Sequence, residues 1–208
     1  MIVQWCLKGM WLEDDEAARQ IIDSREGIIS NWWRRKGLIS NSEKREKLTS
    51  ENLDLHVNHF SHKDANSGFR VSEDTPFISL SCGTVERDVL ARTNIARSAL
   101  GTALWFGTDF NRRDTAYIYT CWVILGPRPA PDIEGVAEEV RDLNSYRRFS
   151  DYQPEGEVAA KISVPENHVQ RCDKWIREAV SGTFRLVWTH SNPTFTHPET
   201  LSNVRELI

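Results

Sequence analysis

Glu155 and Glu157 stand two residues apart in Glu155-Gly156-Glu157-Val158, just after a stretch rich in turn formers. On an extended chain, residues i and i+2 share a face, so the two carboxylates look the same way. Such a pair suits the breaking of a glycosidic bond. One carboxylate stabilises the positive charge that develops on the sugar carbon, and the other orients or deprotonates the incoming nucleophile. Each role lowers the barrier by about 2–4 kcal/mol. Ser79 and Ser81 repeat the two-residue spacing in Phe77-Ile78-Ser79-Leu80-Ser81 and bring a pair of hydroxyls to one face. A third segment, Tyr117-Ile118-Tyr119, heads an apolar run.

These groups need elements to hold them. Ile2–Leu7, Thr75–Ser81, Ala116–Leu125, Glu157–Val164 and Phe184–Thr189 read as strands from their apolar and β-branched content. Leu53–Phe60 alternates in a strand-like way. Helical spacing of apolar residues predicts helices over Glu13–Ile29, with Gly27 as a stop, and over Val85–Phe106, Ile133–Leu143 and Glu166–Ala179. Ser40–Ser50 reads as a surface loop or short helix, Asn66-Ser67-Gly68 as a turn and Asn144–Pro154 as a turn-rich loop. Strands and helices interleave without a regular βαβ rhythm, which predicts an α+β class. A chain of 208 residues fits one domain over residues 1–208.

Bulk composition narrows the class further. With 39% hydrophobic and 27% charged residues the chain is globular rather than disordered. A net charge of −4 argues against a surface coated for duplex binding. Cys6, Cys82, Cys121 and Cys172 form no CxxC pair and read as reduced, mostly buried thiols. The apolar start, Met1–Leu12, is short and runs into Glu13-Asp14-Asp15-Glu16, unlike a secretory leader, and no apolar run is long enough to span a membrane. The expectation is a cytoplasmic protein without membrane association, or one injected by a route that needs no leader.

The ordered set resembles the cholera-toxin-like mono-ADP-ribosyltransferases, and pierisin-like enzymes share most of it. The segments are Gly68-Phe69-Arg70-Val71, Phe77-Ile78-Ser79-Leu80-Ser81, Ala116-Tyr117-Ile118-Tyr119, Glu155-Gly156-Glu157-Val158, then Val164-Pro165 and Trp175. The likeness spans about Asn52–Trp175. It implies two packed, mostly antiparallel sheets forming an NAD cleft with flanking helices, and NAD as substrate without a metal. Within the arginine–serine–glutamate set of that family, Glu157 matches the catalytic glutamate and Glu155 the residue that distinguishes acceptors. Ser79 matches the serine that helps hold NAD and the glutamate, and Ser81 the last serine of the same strand. Tyr152 or Phe149 falls where the loop offers an aromatic side chain to the acceptor. Two positions depart. Leu80 stands for a threonine, and Lys8 is the best match for a first-strand arginine whose planar fork a lysine does not reproduce.

Other clusters carry weaker signals. His56, His59 and His62 have spacing that fits no standard metal set; a histidine there that contacts substrate is one reading, and a solvated surface is the favoured one. Trp32-Trp33-Arg34-Arg35-Lys36 combines stacking and charge, as in nucleic-acid binding, but the Trp pair packing under the first helix with solvated cations is the favoured reading. Arg112-Arg113 is another basic pair, and Arg147-Arg148 in the loop before the glutamates suits a phosphate-bearing acceptor or simply a solvated loop.

The reading that follows is a toxin or effector that transfers ADP-ribose from NAD to a macromolecule. Glu155 favours protein arginine as acceptor, whereas the aromatic and basic clusters favour a base in RNA or DNA. Transfer to water, and a non-catalytic module that only binds in the cleft, are the other readings. A toxin of a toxin–antitoxin or phage-defence module would need a neutralising antitoxin in its own cell.

Overall fold

The computed structural model describes residues 2–63, 68–88, 93–140, 156–198 and 203–208. In chain order the elements are β1 (Ile2–Met10), α1 (Asp15–Asp23), β2 (Ile28–Ile29), α2 (Asn31–Lys36), α3 (Asn41–Lys47), α4 (Ser50–Asn58) and α5 (Val71–Asp74). They continue with β3 (Phe77–Ser81), β4 (Thr84–Asp88), β5 (Thr93–Arg97), α6 (Ala99–Gly107), β6 (Thr115–Leu125), β7 (Glu157–Lys161) and β8 (Ser163–Val164). A single 3-10 turn, Glu166–His168, leads to β9 (Val169–Arg177), followed by β10 (Phe184–Ser191) and β11 (Val204–Arg205).

Seven strands hydrogen-bond in the order β10-β9-β6-β1-β3-β7, with β11 added beside the start of β1. All neighbours are antiparallel except β1 and β11. The class is therefore the α+β one expected, an antiparallel sheet with flanking helices. Its two halves are joined narrowly. β1 pairs with β6 over its whole length, from Ile2↔Leu125 to Met10↔Tyr117, but with β3 at one residue pair, Leu7↔Ser81. β3 then pairs fully with β7, from Phe77↔Lys161 to Ser81↔Glu157. Beyond the Leu7–Ser81 bridge the halves diverge and leave a cleft.

Each face is covered by elements whose local sequence explains them. Asp14 caps α1 by accepting from the Ala17 N–H at 2.8 Å, and Asp15 and Glu16 suit the positive end of the helix dipole. Ala18 and Ile22, one turn apart, are buried with Cys6, Tyr117, Tyr119 and Val158 in the largest core cluster. Tyr117 donates to Asp15 Oδ1 at 2.7 Å and Tyr119 to Ala18 O at 2.8 Å, so the Tyr-Ile-Tyr segment secures α1 instead of lining the cleft. α6 packs on β1 because Gly9 has no side chain: a Cβ there would lie 1.8 Å from Ala103 O. The cysteines are buried thiols, as expected. Among the described residues, no helix is long and apolar enough to cross a membrane.

Four predicted elements came out differently. Leu53–Phe60, expected as a strand, lies in α4 and the turn after it. Leu53, His56 and Val57 are the buried residues there, at spacings of three and four, and Thr49 caps the helix by accepting from Asn52 N at 3.2 Å. The helix expected over Val85–Phe106 is a hairpin, β4 against β5, followed by the shorter α6. The stretch expected as a helix over Glu166–Ala179 is the 3-10 turn and β9. An irregularity between Thr120 and Cys121 lets Val169 and Cys172, three apart, both face the core, and this imitates helical spacing. Ile133–Val140 is turns and bridges, Leu125↔Ala137 and Glu138↔Ala159, not helix. There Lys161, on β7, buries its ammonium 2.6 Å from Glu138 Oε1. The turn at Asn66-Ser67 and the loop Asn144–Pro154 lie outside the described residues.

Candidate active site

Glu157 is placed by register. Leu7, Ser81 and Glu157 stand in one cross-strand row over β1, β3 and β7, at the point where the sheet divides. Gly156 makes the turn into β7. Its φ is +61°, and a Cβ there would lie 2.4 Å from the backbone of Gly83, so glycine is required. Gly156 O accepts from the N–H of Cys82 at 3.1 Å and from its Sγ at 2.9 Å, which fixes the start of β7 against the end of β3.

Three further side chains converge on the carboxylate. Lys8, one residue past the bridge, donates from Nζ to Ser79 O at 3.0 Å. Ser79 Oγ lies 2.8 Å from His56 Nε2, and that nitrogen lies 3.7 Å from Glu157 Oε1. On its other side His56 Nδ1 is 3.0 Å from Thr75 Oγ1, which accepts from the Phe77 N–H at 3.2 Å. A neutral imidazole carries one N–H, so one of these two hydroxyls accepts from the ring and the other donates to it.

The electrostatics keep the ring neutral. Burial, and secondly the Lys8 charge, push the His56 pKa down to about 3, so the ring is neutral and its contact with Glu157 is not an ion pair. Burial holds the Lys8 ammonium below the usual lysine range, the Glu157 carboxylate opposes this, and Arg34 adds to it. The cleft encloses about 230 Å³. Ile28, Ile29, Val57, Phe60, Phe77 and Phe106 supply apolar walls, and Lys8, Arg34, His56, Ser79, Ser81 and Glu157 supply polar groups. Such a lining, largely apolar with a few converging polar groups, is that of a small-molecule site. Two cations in apolar walls suit a ligand with both apolar and anionic parts.

Of the residues singled out in the sequence, Lys8, Ser79, Ser81 and Glu157 meet in this one cleft. Glu155, Tyr152, Phe149, Arg147 and Arg148 lie outside the described residues. His56 and Arg34 join the site from the two weaker clusters. Among the described residues no group of His, Cys, Asp and Glu could hold a metal ion. His59 and His62 face each other with ring centroids 4.9 Å apart, away from the cleft lining. Trp32 is buried with Leu48, Leu53, Val57 and Phe77, not under α1, so it is core and not a stacking platform. Arg113 lies 3.6 Å over the Trp11 ring, and Arg112 sits 3.7 Å from Asp109.

An antiparallel sheet split over a cleft, with helices on its flanks, is the fold of the ADP-ribosyltransferase toxins. Among solved structures, EcPltA superposes with a TM-score of 0.52 at 11% identity, covering 98% of this chain and 93% of that one. A heat-labile enterotoxin double mutant matches with a TM-score of 0.46 at 16% identity, covering 96% and 67%. The catalytic domain of the mosquitocidal toxin from Bacillus sphaericus matches with a TM-score of 0.45 at 13% identity, covering 98% and 63%. At such identities the likeness is one of fold. No protein-family model matches the sequence, and no curated protein matches it.

Proposed function

We propose that this chain is a mono-ADP-ribosyltransferase toxin or effector that binds NAD as substrate in the cleft and passes its ADP-ribose to a macromolecule. The observation that carries this reading is the convergence of Lys8, Ser79, His56 and Glu157 where β1 and β3 part, in a fold that ADP-ribosylating toxins share. The bond from ribose C1 to the nicotinamide nitrogen breaks, and its electron pair leaves with nicotinamide. The Glu157 carboxylate accepts from a ribose hydroxyl and stabilises the positive charge left on the sugar. The His56 ring, itself neutral, holds the Ser79 hydroxyl, and Ser79 in turn bonds the sugar. Lys8 adds a cation near the ribose and phosphates, and Ser81 supports the same strand. The acceptor attacks C1 and gives up a proton, for which Glu155 is the base.

Glu155 favours a protein arginine as acceptor, with Tyr152 or Phe149 against it, while Arg147 and Arg148 favour a nucleic-acid base. Labelled NAD incubated with cell lysate decides between them. Label that survives nuclease and is lost to protease marks a protein acceptor, and the reverse marks nucleic acid. Glu157→Gln removes the charge but keeps the shape, and transfer should fall by about 100-fold or more with an unchanged melting curve. Labelling retained by that variant would sink the proposal. A second reading, a module that binds without turnover, draws on Lys8 in place of an arginine. NAD binding without nicotinamide release would support it.

A further inference from the structure

The charge inside the cleft is out of balance. Among the described residues lining it, Lys8 and Arg34 are cationic and Glu157 is anionic, in a chain whose net charge is −4. Lys8 is engaged with Ser79 O. Arg34 is exposed, and its side chain makes no hydrogen bond or ion pair among the described residues. Its neighbours differ. Arg35 pairs with Asp74, and Lys36 Nζ lies 3.4 Å from Glu43 Oε1.

Helix α2 is anchored through Asn31 and Trp32, which sets the side of the helix that Arg34 occupies. The Trp32 side chain is 1% exposed in the core, Trp32 N donates to Thr75 O at 3.2 Å, and Asn31 Nδ2 donates to Ser72 O at 2.6 Å. Two helical positions turn the chain by about 200°. With Trp32 facing the core, Arg34 is turned from it and stands on the cleft wall beside Ile28 and Ile29. Apolar walls strengthen the pull of a cation on an anion. A guanidinium also presents a planar fork of N–H groups that matches two phosphate oxygens.

We infer that Arg34 is an anion-binding residue of the cleft, beyond Lys8, and takes the pyrophosphate of NAD. This rests on the NAD reading above, though its charge argument stands alone. Ribose and carboxylate chemistry stay with Ser79 and Glu157, so Arg34 contributes to binding and not to the bond-breaking step.

Calorimetry tests this with the Glu157→Gln protein, which should hold ligand without turnover. NAD and inorganic pyrophosphate are titrated separately into that protein, into the same protein with Arg34→Ala, and into it with Lys36→Ala, a matched loss of charge on the same helix. Arg34→Ala should weaken both ligands by about tenfold or more and flatten their salt dependence. Lys36→Ala should change either by less than about twofold. In the otherwise unaltered enzyme, Arg34→Ala should raise the KM for NAD far more than it lowers kcat. Pyrophosphate bound through Arg34 without NAD binding would uphold the anion site while removing the NAD reading. Equal affinities with and without Arg34, or no anion binding by the parent, would overturn the inference.

Discussion

The imidazole Nε2 of His56 lies 2.8 Å from the hydroxyl oxygen of Ser79. The bond joins α4 to β3 and sets a neutral ring between a threonine and the serine beside Glu157. If this chain of bonds orders the cleft, the two residues are energetically coupled. His56→Ala and Ser79→Ala should each reduce NAD turnover about tenfold or more, and the double variant should lose less than the product of the two. Losses that simply multiply would show that the bond does not serve the reaction.

Acid should weaken the fold through its histidines. The pKa values in the folded protein are pushed down to about 3 for His56 and about 4 for His168, both chiefly by burial, from an ordinary 6.5. An unfolded chain then binds more protons than the folded one between these values. Stability from the neutral rings is complete above pH 6.5 and is lost as the pH falls toward 3–4. The slope is at most about 1.4 kcal/mol per pH unit for each ring. Asp15, held low by its bonds with Lys174 and Tyr117, adds a loss only below its ordinary 3.8. Urea titrations at pH 7 and 5 should show the decline, and His56→Gln should reduce it without abolishing it. A stability that is flat over this range would contradict a neutral His56.

Lys161 and Glu138 are 1% and 2% exposed. Their 2.6 Å pair ties β7 to the segment around Ala137, and Lys161 also donates to Ile133 O at 3.0 Å. Lys161→Met should cost about 3–5 kcal/mol, because it removes the buried cation that faces the Glu138 carboxylate. Adding Glu138→Leu should recover part of that loss, leaving the backbone carbonyls that Lys161 served. Denaturant midpoints for the three proteins test this. A double variant less stable than Lys161→Met would refute the account.

Gly156→Ala should be harmful out of proportion to one methyl group. Left-handed φ alone costs an alanine about 1–2 kcal/mol, and the contact 2.4 Å from Gly83 backbone cannot relax by side-chain rotation. The displaced residue is Glu157, so activity should fall even below the melting temperature of the variant. Wild-type turnover in Gly156→Ala would show that the turn does not position the carboxylate.

The central strands were readable because their pattern is local. Phe77–Ser81 and Ala116–Leu125 are dense in apolar and β-branched residues, and the i, i+2 rule gave Ser79 and Ser81 a common face. α4 was misread for a related reason: Leu53, Leu55 and Val57 alternate, and only the Thr49 cap and the burial of His56 reveal the helix. β9 was misread because the irregularity opposite it is a property of two strands together.

By itself the sequence determined the residue types, the extended segments that bear Ser79, Ser81 and Glu157 and the one that runs up to Lys8, and the α+β class, since alternation and turn chemistry act over a few residues. Tertiary structure decided which groups meet. The row Leu7–Ser81–Glu157 depends on register between strands far apart in the chain. His56 became a partner of Ser79, and Arg34 a cation of the cleft, through the packing of helices whose burial no local period encodes.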